Sequence, residues 1–250
     1  MALLTDGTIS TLGDLRDYES AIFEVASTEQ IDLSKKLVLA KQEIEVELTD
    51  FLVRQSMHDM GGPASQRPDL GKVVVTPALR QWHVYHALAL AYRDAYSTHY
   101  NDRYLKKWKG YERLASEGSR RSFDIGIGFV HDPISKAAPA RLSTIAGAAP
   151  GGTYWVRVAW TSASGQEGEP SDPVYLTVKD DAALSVEAAD ARPNAAGWNV
   201  YAGVTPDLFE LQNTLPLATG TSWVMPSEGL TRGRRPGDGQ APEYHVTLRR

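Results

Sequence analysis

His83 and His86 stand three residues apart in a stretch of helical periodicity, a spacing that can bring two imidazoles to one metal ion, and His99 follows further along. Val84 occupies the place where a His-Glu-x-x-His motif would need its glutamate, so these are expected as surface or helix-interface histidines and no metal is assigned. Gly126-Ile-Gly128 lacks the third glycine and the following helix of a dinucleotide fingerprint, and no phosphate-cradling Gly-x-x-x-x-Gly-Lys-Ser/Thr loop occurs. The acid pairs Asp180-Asp181 and Glu167-x-Glu169 fall between strand candidates, where solvated turns outnumber calcium or glycosidase sites. No Gly-x-Ser-x-Gly elbow presents a nucleophile. The chain is therefore expected to be non-catalytic, with no cofactor.

Aromatic spacing carries more information. Trp82, Tyr85, Ala89, Tyr92 and Tyr96 recur at three and four, and Tyr100, Tyr104, Trp108 and Tyr111 extend the pattern. Such a stripe could stack sugars or bases, but it is expected as core or subunit interface, where Trp and Tyr bury large surfaces. Trp82, Tyr85, Tyr92, Tyr96 and Trp108 are accordingly interface candidates.

Helical elements must position that stripe. Leu12, Leu15, Tyr18, Ile22 and Val25 share one face, with Thr11 as N-cap, and predict a helix near 12–27. A second helix near 32–57 aligns Leu33, Leu37, Ala40, Ile44 and Leu48, with an acidic outer face at Glu43, Glu45 and Glu47. Gly61-Gly62-Pro63, Pro68 and Gly71 interrupt the pattern, and Val73-Val74-Val75 offers a short extended run. Thr76-Pro77 caps a third helix near 77–100, and Asn101-Asp102 a fourth near 102–117, ending at Gly118.

From Ser122 the period changes. Phe123, Ile125, Ile127 and Phe129 alternate with small or polar residues, as an extended arm would, and Tyr244, Val246 and Leu248 end the chain in a similar pattern. Both segments are candidates for gripping a neighbouring subunit by strand addition. Strands are expected at 153–161, 173–178, 184–189, 198–202 and 222–225, separated by turn-rich segments. The expected fold is multidomain α plus β: an N-terminal all-α helical bundle (1–121), an extended arm and linker (122–139), a C-terminal antiparallel β-sandwich (140–230) and a tail (231–250).

Composition narrows the function classes. Without cysteine there are no disulfides and no thiolate chemistry, which fits a reducing cytosolic birthplace. No apolar run is long enough to span a bilayer, and Met1-Ala-Leu-Leu-Thr-Asp does not start a signal peptide, so a soluble, unexported chain is expected. The net charge of −5 is spread over both halves. Basic runs are limited to Lys106-Lys107-Trp108-Lys109 and the arginines at 232, 234 and 235, too little for a phosphate-gripping domain.

Gly197-Trp198-Asn199-Val200-Tyr201, Leu211-Gln212-Asn213 and Gly220-Thr221-Ser222-Trp223 resemble the fibronectin type III-like or immunoglobulin-like modules common in bacteriophage virion proteins. A second resemblance covers about the first 120 residues. A long helix pair, a Gly/Pro-rich loop, then Thr76-Pro-Ala-Leu-Arg-Gln-Trp-His-Val-Tyr-His, Tyr92-Arg-Asp-Ala-Tyr and Lys107-Trp look like the head–tail adaptor (connector) proteins of tailed phages. The resemblance implies a ring, commonly of twelve copies, beneath the portal protein in the virion neck. Such a ring extends the DNA channel, docks tail or tail-completion proteins and passes double-stranded DNA without sequence-specific binding. Assembly from host cytoplasm into virions, with no membrane partner, follows from it. The alternative reading is a virion-borne sandwich that binds carbohydrate or host surface as a tail or fibre component.

Overall fold

Thr11 opens the first helix as expected. In the computed structural model, which describes residues 2–58, 69–99 and 102–247, its hydroxyl accepts from the Asp14 amide while the Asp14 carboxylate accepts from the Thr11 amide. Helix α1 spans Leu12–Tyr18 and α2 Ile22–Thr28, so the single helix expected near 12–27 is broken in two. The break has a cause: Glu19 turns inward, only 8% exposed, where the Lys107 ammonium and the Tyr111 hydroxyl (2.8 Å) both donate to it. The long helices follow as α3 (Leu33–His58), α4 (Pro77–His99) and α5 (Asp102–Ile125). Thr76 caps α4 by accepting from the Leu79 amide at 3.3 Å.

Helix α4 is central and touches α1, α2, α3 and α5. Val84 and every residue from Ala87 to Tyr92 are buried, so α4 is apolar around most of its circumference, as a helix enclosed by others must be. Gly118, expected as a helix stop, lies inside α5. A Cβ there would sit 3.1 Å from the Trp82 Cα, so its missing side chain lets α5 close onto α4. The actual terminator is Gly126, whose φ of +103° suits glycine alone.

This shortens the expected arm. Residues 122–125, including Phe123 and Ile125, are the last turn of α5 rather than extended chain. Strand β1 (Ile127–Phe129) is extended, but it pairs antiparallel with β9 (Tyr244–Val246) of the same molecule, Ile127 facing Val246 and Phe129 facing Tyr244. The valine run joins through a Val73–Phe129 bridge, and the Val74 amide donates to the Gly128 carbonyl at 2.9 Å.

The remaining strands form two antiparallel sheets. Strands β2 (Arg141–Ala146), β5 (Ala182–Glu187) and β8 (Ser222–Val224) run in the order β2-β5-β8. Strands β3 (Gly152–Thr161), β4 (Val174–Val178), β6 (Gly197–Thr205) and β7 (Leu208–Leu211) run in the order β4-β3-β6-β7. Tyr154, Val156, Val158, Trp160, Leu184, Val186, Trp198, Val200 and Trp223 from both sheets make one core, with Trp160 and Trp198 directly paired across β3 and β6. The architecture is thus an α-helical N-terminal half followed by an antiparallel three-on-four sandwich.

Chain segments cross between the two compact units at places the sequence did not suggest. The β unit comprises Met1–Asp6 and Asp132–Ala241, the helical unit Gly7–His131 and Pro242–Arg250. Residues 132–139 are no linker: Ile134 is fully buried, and its amide donates to the Gln240 side chain at 2.5 Å. Nor is 231–241 a free tail. The Leu211 amide donates to the Arg234 carbonyl at 2.9 Å, and the Gln212 side chain bonds the Thr231 backbone in both directions.

Candidate functional site

Most of the aromatic stripe is used within the helical unit. Trp82 and Tyr92 are buried in its core; Tyr92 stacks on Tyr111 with centroids 5.7 Å apart, and Trp82 meets Phe123 edge-on at 5.8 Å. Tyr85, Tyr96 and Trp108 are half-buried, Tyr96 against Trp108 at 5.8 Å. Phe123, Ile127 and Phe129 are buried, which leaves them no area for a neighbouring molecule. Tyr244 and Val246 are half-buried, and Tyr244 stacks on Phe129. Among the described arm candidates Ile125 alone is well exposed, at 57%. Leu248, like His99's side chain, Tyr100, Asn101 and the Gly61–Pro68 loop, lies outside the described residues.

A buried tyrosine–carboxylate cluster, which sequence reading missed, lies within the helical unit. Burial raises the Glu19 carboxyl, but the bonds from Lys107 and Tyr111 outweigh it and hold its pKa below the usual range. Burial and the same carboxylate push the Tyr92 and Tyr111 hydroxyls well above their ordinary value. They are donors that stay protonated, which suits a lock between the α1–α2 turn and α5.

The two histidines are spent separately. His83 is fully buried: Ser10 Oγ donates to Nδ1 at 2.6 Å, and Nε2–H donates to the Leu37 carbonyl at 2.9 Å. The Ser10–His83 contact has the reach of a nucleophile–base pair. Yet Ser10 is 2% exposed, and a main-chain carbonyl rather than a carboxylate orients the imidazole, so no substrate reaches the hydroxyl. His86 donates instead to Glu43 at 2.6 Å. Among the described residues no group of three His, Asp or Glu could hold a metal, and no helix is long and apolar enough to cross a membrane.

Glu43 and Glu47 edge a cavity of about 340 Å³ between α3, α4 and α5, and Glu47 accepts from Ser119 at 3.0 Å. The acidic face expected from Glu43, Glu45 and Glu47 is not one face. Residues two apart point to different sides of a helix, and Glu45 pairs with Lys41 instead.

Among the described residues, the helical unit exposes apolar side chains on α3 and on α1–α2, besides Ile125. On α3, Val38, Val46 and Val53 are 51%, 70% and 51% exposed, away from the buried Leu37, Ala40, Ile44 and Leu48. On α1 and α2, Leu12, Tyr18 and Phe23 are 38%, 46% and 39% exposed. Compared with known proteins, the chain matches no family model and no curated relative.

Proposed function

We propose that this chain is a structural virion protein, a head–tail adaptor whose helical unit packs side by side into a ring beneath the portal, extending the DNA channel, while the sandwich braces the tail. The observation that carries the reading is the pair of unlike apolar faces on the helical unit. Val38 and Val46 lie eight residues apart on one side of α3, about 12 Å along the axis. Valine at an exposed helical position costs about 0.5 kcal/mol of propensity against alanine and gains nothing from water. A face that keeps such residues is suited to being covered. A ring needs two different faces, because a heterologous contact closes only when one surface meets another through a repeated rotation. Exposed Leu12 on α1 and exposed Phe23 on α2 are the candidates for the second face. The net charge of −5 suits a channel that lets DNA slide rather than holding it.

Val46→Asp and Phe23→Asp each place a charge on one face without touching the core, so both variants are expected to fold. Native mass spectrometry with the portal should show rings for the unaltered chain and none for either variant. Mixing the two variants should give dimers, since each retains the face that the other lacks. Rings that persist in both variants, or an unaltered chain that never assembles on the portal, would remove the proposal.

A further inference from the structure

We propose that the outer face of the four-stranded sheet carries a carbohydrate-binding shelf built on Trp155 and Tyr175, whose ligand is an extended β-linked, gluco-configured oligosaccharide. The site lies wholly within the sandwich and does not depend on ring assembly.

Trp155 on β3 and Tyr175 on β4 are directly paired across the strands, with ring centroids 4.7 Å apart and planes tilted by 39°. Tyr175 is 62% exposed, while Trp155 is half-buried against Ala159, Tyr201 and Phe209, which fixes the inner ring. Position 203, opposite Trp155 on β6, is a glycine, so no side chain stands beside the indole there. Two residues along the same face, the Thr153 and Thr177 hydroxyls bond each other at 2.9 Å and are both exposed. Two residues the other way stands Arg157, whose Nε donates to the Ser171 carbonyl.

Strand alternation places Thr153, Trp155 and Arg157 in one row, about 13 Å from end to end. The row and its β4 neighbours contain no carboxylate. Its exposed apolar area is mainly the Tyr175 ring with part of Trp155, bordered by hydroxyls and a guanidinium, a pattern too small and too polar-edged for a protein hot spot. A pyranose matches it. A gluco-configured ring has equatorial substituents, so its faces are C–H surfaces that stack on aromatic rings while its hydroxyl edge meets threonine and arginine. A β-linked chain is straight, and the row it would follow is straight too.

A cross-strand aromatic pair can also serve only the sheet, contributing roughly 0.2–1 kcal/mol. Titration calorimetry of the intact chain with cellohexaose and chitohexaose separates the two roles. Binding is expected for at least one of them, weakened at least about tenfold, or ~1.4 kcal/mol, by Tyr175→Ala. Tyr175→Phe, which keeps the ring and loses only the hydroxyl, should bind within about twofold of the unaltered chain. A melting curve of Tyr175→Ala confirms that the fold survives. Failure of both sugars to bind the unaltered chain, or affinity indifferent to Tyr175→Ala, overturns the proposal. Preference for maltohexaose, whose chain is curved, overturns the assigned ligand class.

Discussion

Gly203→Val destabilises the sandwich by about 3 kcal/mol or more, the upper range for forced overpacking. Gly203 lies within the register shift of the β6–β7 pairing, between Ala202 and Thr205, and an added Cβ would lie 1.8 Å from the Leu208 carbonyl oxygen. The obstacle is main chain, so no rotamer change relieves it, and β7 must leave β6. Phe209 and Leu211 leave with it, uncovering Tyr201, whose hydroxyl donates to Glu167 at 2.6 Å. Arg234, which reaches the same carboxylate at 2.7 Å, is then displaced as well. A thermal melt followed by tryptophan fluorescence should fall by roughly 10 °C or more. Gly110→Ala on α5 is the control: nothing lies within 4 Å of its added Cβ, and helix propensity alone should stabilise by about 0.5–1 kcal/mol. A wild-type melting point for Gly203→Val would show that the hairpin is not held by this approach.

Acid is expected to weaken the helical unit through His83. Burial lowers its pKa from 6.5 to about 4, and the nearby His86 and Lys41 charges act in the same direction, against the Leu37 carbonyl bond and Asp14. Above pH 6.5 the imidazole is neutral in both folded and unfolded chains and contributes no pH dependence. Below that value the unfolded chain binds a proton that the folded one refuses, so stability is lost as pH falls toward 4. The full loss approaches about 3 kcal/mol near pH 4. Urea titrations at pH 7.5, 6 and 5 should show it. His83→Gln can keep donors and acceptors near Ser10 and Leu37 without titrating. That variant should be less stable at pH 7.5 yet show a flatter pH dependence, and equal slopes would mean that His83 is not the group responsible.

The helices were legible because their signals are local. Thr11 with Asp14, and Thr76 with Pro77, name their helix starts through bonds closed within three residues. The sandwich was legible for a related reason, since Trp160, Trp198 and Trp223 sit in runs whose alternation marks an inner face. Strands β2 and β7 were not foreseen. Arg141–Ala146 is exposed at nearly every position, and Leu208–Leu211 is too short to show a period. The Leu-Gln-Asn turn gained its meaning from partners: Asn213 accepts from the Val200 amide and donates to Asn199, both at 2.8 Å.

Part of the candidate contact surface is core instead, for the converse reason. Aromatic spacing identified residues that must be buried, and Trp82, Tyr92 and Phe123 found their cover inside the chain. Periodicity measures which side of an element is apolar and carries no information on what lies against it. The exposed valines of α3 were hidden by the same ambiguity, because a helix rich in apolar residues shows its surplus face only once the core has been filled.

Taken alone, the amino-acid order determined the α-then-β division and the main element starts, since each rests on interactions between near neighbours in the chain. Tertiary structure decided that Glu19 turns inward to Tyr111, that Gly118 admits Trp82 rather than ending a helix, and that β1 is completed by β9 more than 100 residues later. Those outcomes depend on which distant segments meet, and the free energy of such meetings comes from burial and backbone pairing that no local window of sequence contains.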